Sequence, residues 1–192
     1  MRSLRKIALC LATAALMTVV VTPPAGASVA DGGFESPVVP ANTFNRYGVG
    51  SSLGAWTVTA NTVDLSGAGF WETAEGAQSL DLDGHSLPGA VSQTITTVPL
   101  FAYRVSYKLA GNPAAGPAVK TGRVLVDGSV LQDFSFDVTG RSLQDMGYVG
   151  RQAVFVATGF TTTITFASTT GSGYGPVIDK VWVDNCLPLL CP

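Results

Sequence analysis

The nine residues 102–110, Ala-Tyr-Arg-Val-Ser-Tyr-Lys-Leu-Ala, decide the fold. Tyr103, Val105, Tyr107 and Leu109 fall on one side of an extended chain, and Arg104, Ser106 and Lys108 on the other. Strict alternation over this length is the signature of a strand with one face on a core and one face polar. The same period runs outward in both directions. In "VLQDFSFD", Phe134 and Phe136 alternate with Asp133, Ser135 and Asp137. In "FTTTITFAS", Phe160, Ile164 and Phe166 oppose Thr161, Thr163 and Thr165. Shorter runs are "AWTVT", "TVDL", "QSLDL", "AVSQTIT", "GRVLVD", "RQAVFVA" and "VIDKVWVD". Turn signals separate them, among them Asp127-Gly128, Gly111-Asn112-Pro113 and Thr158-Gly159. No stretch after the first thirty residues carries a helical stripe, and "SLQDM" amounts to one turn at most. Many short strands without strand–helix alternation predict an all-β, antiparallel β-sandwich of the jelly-roll kind.

Upstream, residues 1–30 read as a secretory leader. Arg2, Arg5 and Lys6 form a basic start, and Ile7–Val21 is an apolar run of 15 residues. That is shorter than the roughly 18–20 residues a bilayer span needs. Small-residue exits follow at Ala25-Gly26-Ala27 and Ser28-Val29-Ala30. The reading is a secreted, extracellular protein with no membrane span after cleavage, and a single domain over 31–192. Cys10 belongs to the leader, and the bulky Leu9 before it does not suit a lipoprotein cysteine.

Three of the 11 basic residues lie in the leader, while all 13 acidic residues lie beyond it. The remaining domain therefore carries a net charge of −5, from 8 basic and 13 acidic groups. Nucleic acid is excluded as a partner class, because phosphate binding needs a basic face. Cys186 and Cys191, in "CLPLLC", are expected to close one short disulfide loop in an oxidising compartment. Two free thiols or an intermolecular bridge are the alternatives.

"GHSLPG", residues 84–89, resembles a nucleophile elbow, but Pro88 stands where the second glycine belongs and a strand pattern follows instead of a helix. The sole histidine, His85, is adjacent to Ser86 rather than folded in from elsewhere, and an extended chain would point it away. Glu72, Glu75, Asp81 and Asp83 could pair as glycosidase carboxylates across a cleft, or stay solvated. "DLDG", 81–84, matches only the start of a calcium loop. The chain is read as a non-enzyme, with a glycan-active hydrolase as the least favoured alternative.

Several stretches in fixed order carry a resemblance: "DGGFESP", "GAWTVTANTVDL", "AEGAQSLDLDG", "VSQTITT", "YRVSYKLAGNP" and "GPVIDKVWV". Over about residues 31–184 the chain resembles the family catalogued as domain of unknown function 642, known from plant cell walls, and the related bacterial choice-of-anchor C secreted proteins. The resemblance implies a galactose-binding-like jelly roll and association with extracellular or cell-wall polysaccharide, without an established activity. Plant members carry two such domains in tandem, whereas this chain has room for one. It ends in "CLPLLCP" where bacterial relatives often carry a surface anchor.

Two sets of site residues follow. Asp179 is in phase with Val181 and Val183, so a core-facing pair of valines would take its carboxylate inward too. By resemblance, Glu35 of "GFES" and Asp179 would hold a structural calcium ion with backbone carbonyls. Alternatively Asp179 accepts backbone N–H groups or faces solvent at a bulge. For sugar, the chemistry asks for an aromatic face against the apolar side of a pyranose, with polar groups beside it. Trp71 and Phe70 in a glycine-rich loop, Tyr47 and Tyr174 are the aromatic candidates, and Asn112 and Lys120 the polar ones. Loop aromatics also cap sandwich cores, and both readings stand. Trp56, Tyr103 and Tyr107 are assigned to the core. Trp182, out of phase with the neighbouring valines, is expected on the opposite sheet face, stacked on a ligand or covered by the C-terminal segment. The leading function is a carbohydrate-binding module; the alternative is a structural or adaptor protein binding another secreted protein.

Overall fold

The computed structural model describes residues 27–186. In chain order the strands are β1 (Phe44–Gly48), β2 (Ser52–Leu53), β3 (Trp56–Ala60), β4 (Thr62–Ser66), β5 (Ser79–Asp81), β6 (Ala90–Thr96), β7 (Ala102–Gly111), β8 (Val119–Val126), β9 (Ser129–Asp137), β10 (Val149–Val156), β11 (Thr161–Ser168) and β12 (Pro176–Cys186). They build two six-stranded antiparallel sheets, ordered β1-β4-β5-β12-β7-β10 and β2-β3-β6-β11-β8-β9. The described residues contain no helix. This is the all-β jelly-roll sandwich that the alternation predicts. Residues 1–26 of the expected leader (1–30), and Cys191 of the expected disulfide, lie outside the described residues. Cys186 is buried at the end of β12, opposite Ala102.

The central strand is β7, and its alternation sorts as expected. Tyr103, Val105, Tyr107 and Leu109 are fully buried between the sheets. Tyr107 meets Phe166 edge-on at 5.0 Å and Phe134 at 5.8 Å across the sandwich. Trp56 joins them through Phe166 at 6.0 Å. Each such side chain contributes about 1.5–3 kcal/mol by leaving water, so the inner faces hold the sheets together. Asp127-Gly128 makes the β8–β9 hairpin turn, with φ of 48° and 79° as a two-residue primed turn requires.

Two strand-level expectations need correction. Phe160 shares the phase of Ile164 and Phe166 but precedes β11 and is 76% exposed. Thr162 takes the first inward position, its hydroxyl 3.0 Å from that of Thr97. Asp179 and Val181 do not share a face. Between Asp179↔Lys108 and Trp182↔Ser106, β12 uses three steps where β7 uses two. Lys180, at φ 47°, is the extra residue. This bulge sends Val181 inward and keeps Asp179 and Trp182 on the outer side of the sheet.

Candidate functional site

Residues paired across antiparallel strands project to the same side of a sheet. The row Arg46↔Asp64↔Asp81↔Val177 crosses β1, β4, β5 and β12. Val63 and Leu65 flank Asp64 and are fully buried in the core, so this row faces outward. Loops fold over that outer face and leave a cavity of about 170 Å³.

The cavity floor is polar and fully engaged. Arg46 grips Asp64 with both arms of its guanidinium, Nε to Oδ1 at 2.8 Å and Nη2 to Oδ2 at 2.9 Å. Burial pushes the Asp64 carboxyl up, against the opposing pull of Arg46. Asp81 is 1% exposed. Its Oδ2 accepts from Asn112 Nδ2 at 2.8 Å, and its Oδ1 from the N–H groups of Asp83 and Gly175 at 2.9 and 3.0 Å. Burial foremost, then the nearby Asp83 and Asp64 charges, push this carboxyl up to about 8. Only glycine fits at 175, because a Cβ there would stand 2.7 Å from Asp81 Oδ1.

The walls are aromatic. Phe44 on β1 packs on Phe70 at 5.4 Å, and Phe70 on Trp71 at 5.1 Å, a ladder from rim to floor. Tyr174, 38% exposed, and Gly173 line the cavity from the β11–β12 loop, and Leu143 from the β9–β10 loop. Four of the six sequence candidates thus converge here: Phe70, Trp71, Asn112 and Tyr174.

Trp71 is not the exposed platform anticipated from its loop. It is 6% exposed, and its Nε1 donates to Ser79 Oγ at 2.7 Å, so only part of the indole reaches the cavity. Phe44 and Tyr174 present the open aromatic surface instead. Tyr47 pairs with Val63 and packs against the core, apart from the cavity lining. Lys120 is not a loop contact either. It lies on β8, fully buried, with Nζ donating to Ala115 O at 2.7 Å, and burial lowers its pKa. Its role is to hold the 112–116 loop from below. Phe44, Arg46 and Asp64, which the sequence reading does not single out, also line the cavity. The available signal was Asp64 itself, a charge between two core-phase residues in "TVDL".

The sequence model of the family described as "Protein of unknown function (DUF642)" matches residues 27–184. The chain belongs to that family. No curated protein matches it. Among solved structures, it is similar to a family 35 carbohydrate-binding module from Clostridium thermocellum, with 13% identity and a TM-score of 0.45. That alignment covers 74% of this chain and 92% of the module. The CBM22-1 xylan-binding domain of Xyn10C from Paenibacillus barcinonensis gives 16% and 0.48, over 77% and 96%. The C-terminal CBM6 of LamC from Zobellia galactanivorans gives 18% and 0.46, over 74% and 99%. At such identities the likeness lies in the course of the chain, not in the site.

The remaining carboxylates of this DUF642 protein have structural work. Glu72 Oε2 accepts from the Met146 N–H at 2.6 Å, and Glu75 pairs with Lys180 at 3.3 Å. Asp83 is fully buried, with Oδ2 accepting from Ser172 N–H at 3.3 Å. Asp64 and Asp81 line one cavity, and the Asp81 pKa is raised, as a glycosidase pair requires. Each of their four oxygens already accepts at least one hydrogen bond, which fixes both carboxyl groups in place. In the exposed bend around 85–87, His85 Nδ1 lies 3.2 Å from Ser86 Oγ, contrary to the extended-chain expectation. Among the described residues no carboxylate hydrogen-bonds the other ring nitrogen to complete a triad.

Glu35 and Asp179 do come together. A Cβ placed on Gly33 would touch Glu35 Oε1 at 3.9 Å and Asp179 Oδ1 at 4.0 Å. Asp179 Oδ2 accepts from the N–H groups of Ala74 and Glu75 at 2.7 and 3.0 Å, and Oδ1 from Lys180 N–H at 2.6 Å. Glu35 Oε1 accepts from Ala77 and Gln78 N–H at 2.9 and 3.0 Å. Burial chiefly, and Glu35 in part, push the Asp179 carboxyl up to about 7. No cluster of three or more metal-ligating side chains occurs among the described residues. Oxygen donors alone suit a hard cation, and Glu35 Oε2 with one lone pair of Asp179 Oδ1 stays available.

Proposed function

We propose that this cavity binds one sugar unit of an extracellular polysaccharide, without catalysis. The observation that carries the reading is the union of an aromatic ladder, Phe44–Phe70–Trp71, with a floor of pre-bonded polar groups, Arg46–Asp64 and Asp81–Asn112. Aromatic rings pack on the apolar face of a pyranose, while the remaining donors and acceptors meet its hydroxyls. A cavity of roughly 150 Å³ holds a benzene-sized ring, so about 170 Å³ suits a single sugar ring. The leader supports secretion, and the net charge of −5 speaks for neutral glycans over polyanions.

The test is affinity electrophoresis of the secreted protein through gels containing single soluble polysaccharides. Wild type is expected to be retarded by at least one neutral glycan and Tyr174→Ala released. A protein that no glycan retards would end the proposal. A second reading, a protein partner, is favoured by one feature at another part of the surface. Leu100 (85% exposed), Phe160 (76%) and Val156 (56%) stand near one another, tied through Leu100 N–H to Ala157 O at 2.8 Å and Thr97 N–H to Phe160 O at 2.9 Å. Leu100→Glu/Phe160→Glu would abolish such a complex and leave glycan retardation unchanged.

We also propose calcium as a structural staple at Glu35 and Asp179. The ion would neutralise two adjacent carboxylates that have no ammonium or guanidinium within ion-pair distance among the described residues.

A further inference from the structure

The outer face of the first sheet is divided by the 67–78 loop, which reaches Asp179 through the Ala74 and Glu75 amides. The cavity lies on one side. On the other, Trp182 of β12 and Gln152 and Val154 of β10 point outward and are exposed, with Arg104 of β7 half-buried between them. There Trp182, Ser106 and Gln152 form one cross-strand row, and Asp184, Arg104 and Val154 the next.

Trp182 is fixed in this surface, not merely exposed. Its Nε1 donates to Asp184 Oδ2 at 3.0 Å, and Arg104 reaches the same oxygen at 3.6 Å. The small Ser106 beside it is 4% exposed, while Trp182 itself is 38% exposed. An indole whose N–H is already satisfied and whose neighbour is small has an apolar surface to offer and little entropy left to lose. Around it stand Arg104, Asp184, Gln152 and Lys108, donors and acceptors spaced along the strands. A protein interface core, by contrast, is depleted in charge. Hydrogen-bonding groups around one flat apolar ring match a polyhydroxylated chain that alternates C–H faces and hydroxyl edges.

We infer that Trp182 is a second glycan-contacting platform, taking an extended neutral polysaccharide chain across β12, β7 and β10. It shares a sheet face with the cavity but none of its residues. A chain long enough to touch both gains avidity from the second contact without either contact being tight.

Two measurements test this. Trp56 and Trp71 are buried, so Trp182 is the tryptophan that iodide should quench in the free protein. A quenchable fraction that disappears in Trp182→Phe supports an open platform. No quenchable tryptophan means that the residues after Cys186 cover the ring, and overturns the inference. Affinity electrophoresis in soluble xylan, mannan, galactan and mixed-linkage β-glucan then compares wild type, Trp182→Ala, Trp182→Phe and Tyr174→Ala. On the glycan that retards wild type, Trp182→Ala should bind about tenfold more weakly or worse, with Trp182→Phe intermediate. Unchanged retardation in Trp182→Ala overturns the platform and leaves the cavity reading intact. Loss in Trp182→Ala with no change in Tyr174→Ala supports the platform and removes the cavity. A wild type retarded by none of the four removes both.

Discussion

Asp179 and Val181 are two residues apart on β12, yet their side chains leave the sheet on opposite faces. Lys180 between them absorbs the change at φ 47°. Val181 enters the core at 4% exposure, and Asp179 is buried under the 72–78 loop, held by three amide N–H groups. One extra residue therefore decides whether this carboxylate reaches the apolar core or an amide-lined niche.

That bulge can be probed at Lys180. A left-handed backbone costs a residue with a Cβ about 1–2 kcal/mol, and glycine almost nothing. Lys180→Gly should be neutral or stabilising by up to about 1 kcal/mol, after loss of the exposed Glu75 pair is counted. Lys180→Val should destabilise by about 1–2 kcal/mol. Urea midpoints decide. Equal stability for the two variants would mean that the bulge is not maintained in solution.

Stability should fall as pH rises. Asp81 and Asp179 titrate at about 8 and about 7 in the folded state, against an ordinary value of 3.8. Between these limits the folded chain holds protons that the unfolded chain has released. Their favourable contribution is complete below about pH 4 and is lost as pH climbs through 7 and 8. In calcium-free buffer the melting temperature should accordingly decline from pH 5 to pH 8.5, and Asp81→Asn should flatten the upper part of the slope. A rising curve over that window would contradict the burial of both groups.

Trp71 and Tyr174 line one cavity but should fail differently. Trp71→Ala removes a buried ring and one of the partners of Ser79 Oγ, which keeps Tyr148, with a cost of about 3–5 kcal/mol. Tyr174→Ala, at a more exposed site, should stay within about 0.5 kcal/mol of wild type while losing glycan retention. Thermal melts run beside the affinity gels separate the two. A severe stability loss in Tyr174→Ala would recast this side chain as a core cap.

Calcium should raise the melting temperature, and a chelator should lower it. An ion at 100 times its dissociation constant adds about 2.7 kcal/mol. Glu35→Gln removes one charged ligand and should abolish the response. Identical melts with calcium and with chelator would mean that the amides alone satisfy Glu35 and Asp179.

The mature chain should begin at Ser28. Ala30 N–H donates to Gln93 Oε1 at 2.8 Å, and Gln93 Nε2 donates back to Ala30 O at 2.8 Å. Cleavage after Ala27 preserves this two-way clamp, whereas cleavage after Ala30 discards it. Intact mass of the secreted protein distinguishes them. A start at Asp31 would exclude the clamp from the mature protein.

Strand positions and inward faces were legible in the chain itself. Alternation is a local property, and Tyr103, Val105, Tyr107 and Leu109 need only their own spacing to point the same way. Even the opposite facing of Trp182 follows from counting. Phe160 escaped the rule because its phase is right but β11 begins one residue later.

The cavity was not legible, because its parts meet only through folding. Arg46 finds Asp64 across 18 residues, Asp81 finds Asn112 across 31, and Gly175 reaches back to Asp81 across 94. Outward-facing residues look solvent-exposed in any strand pattern. Which of them are covered depends on loops laid over the sheet from distant segments, and that covering turned Asp64, Asp81 and Asp179 from surface charges into buried ones. Local sterics set the direction of each side chain, and long-range packing set what it met there.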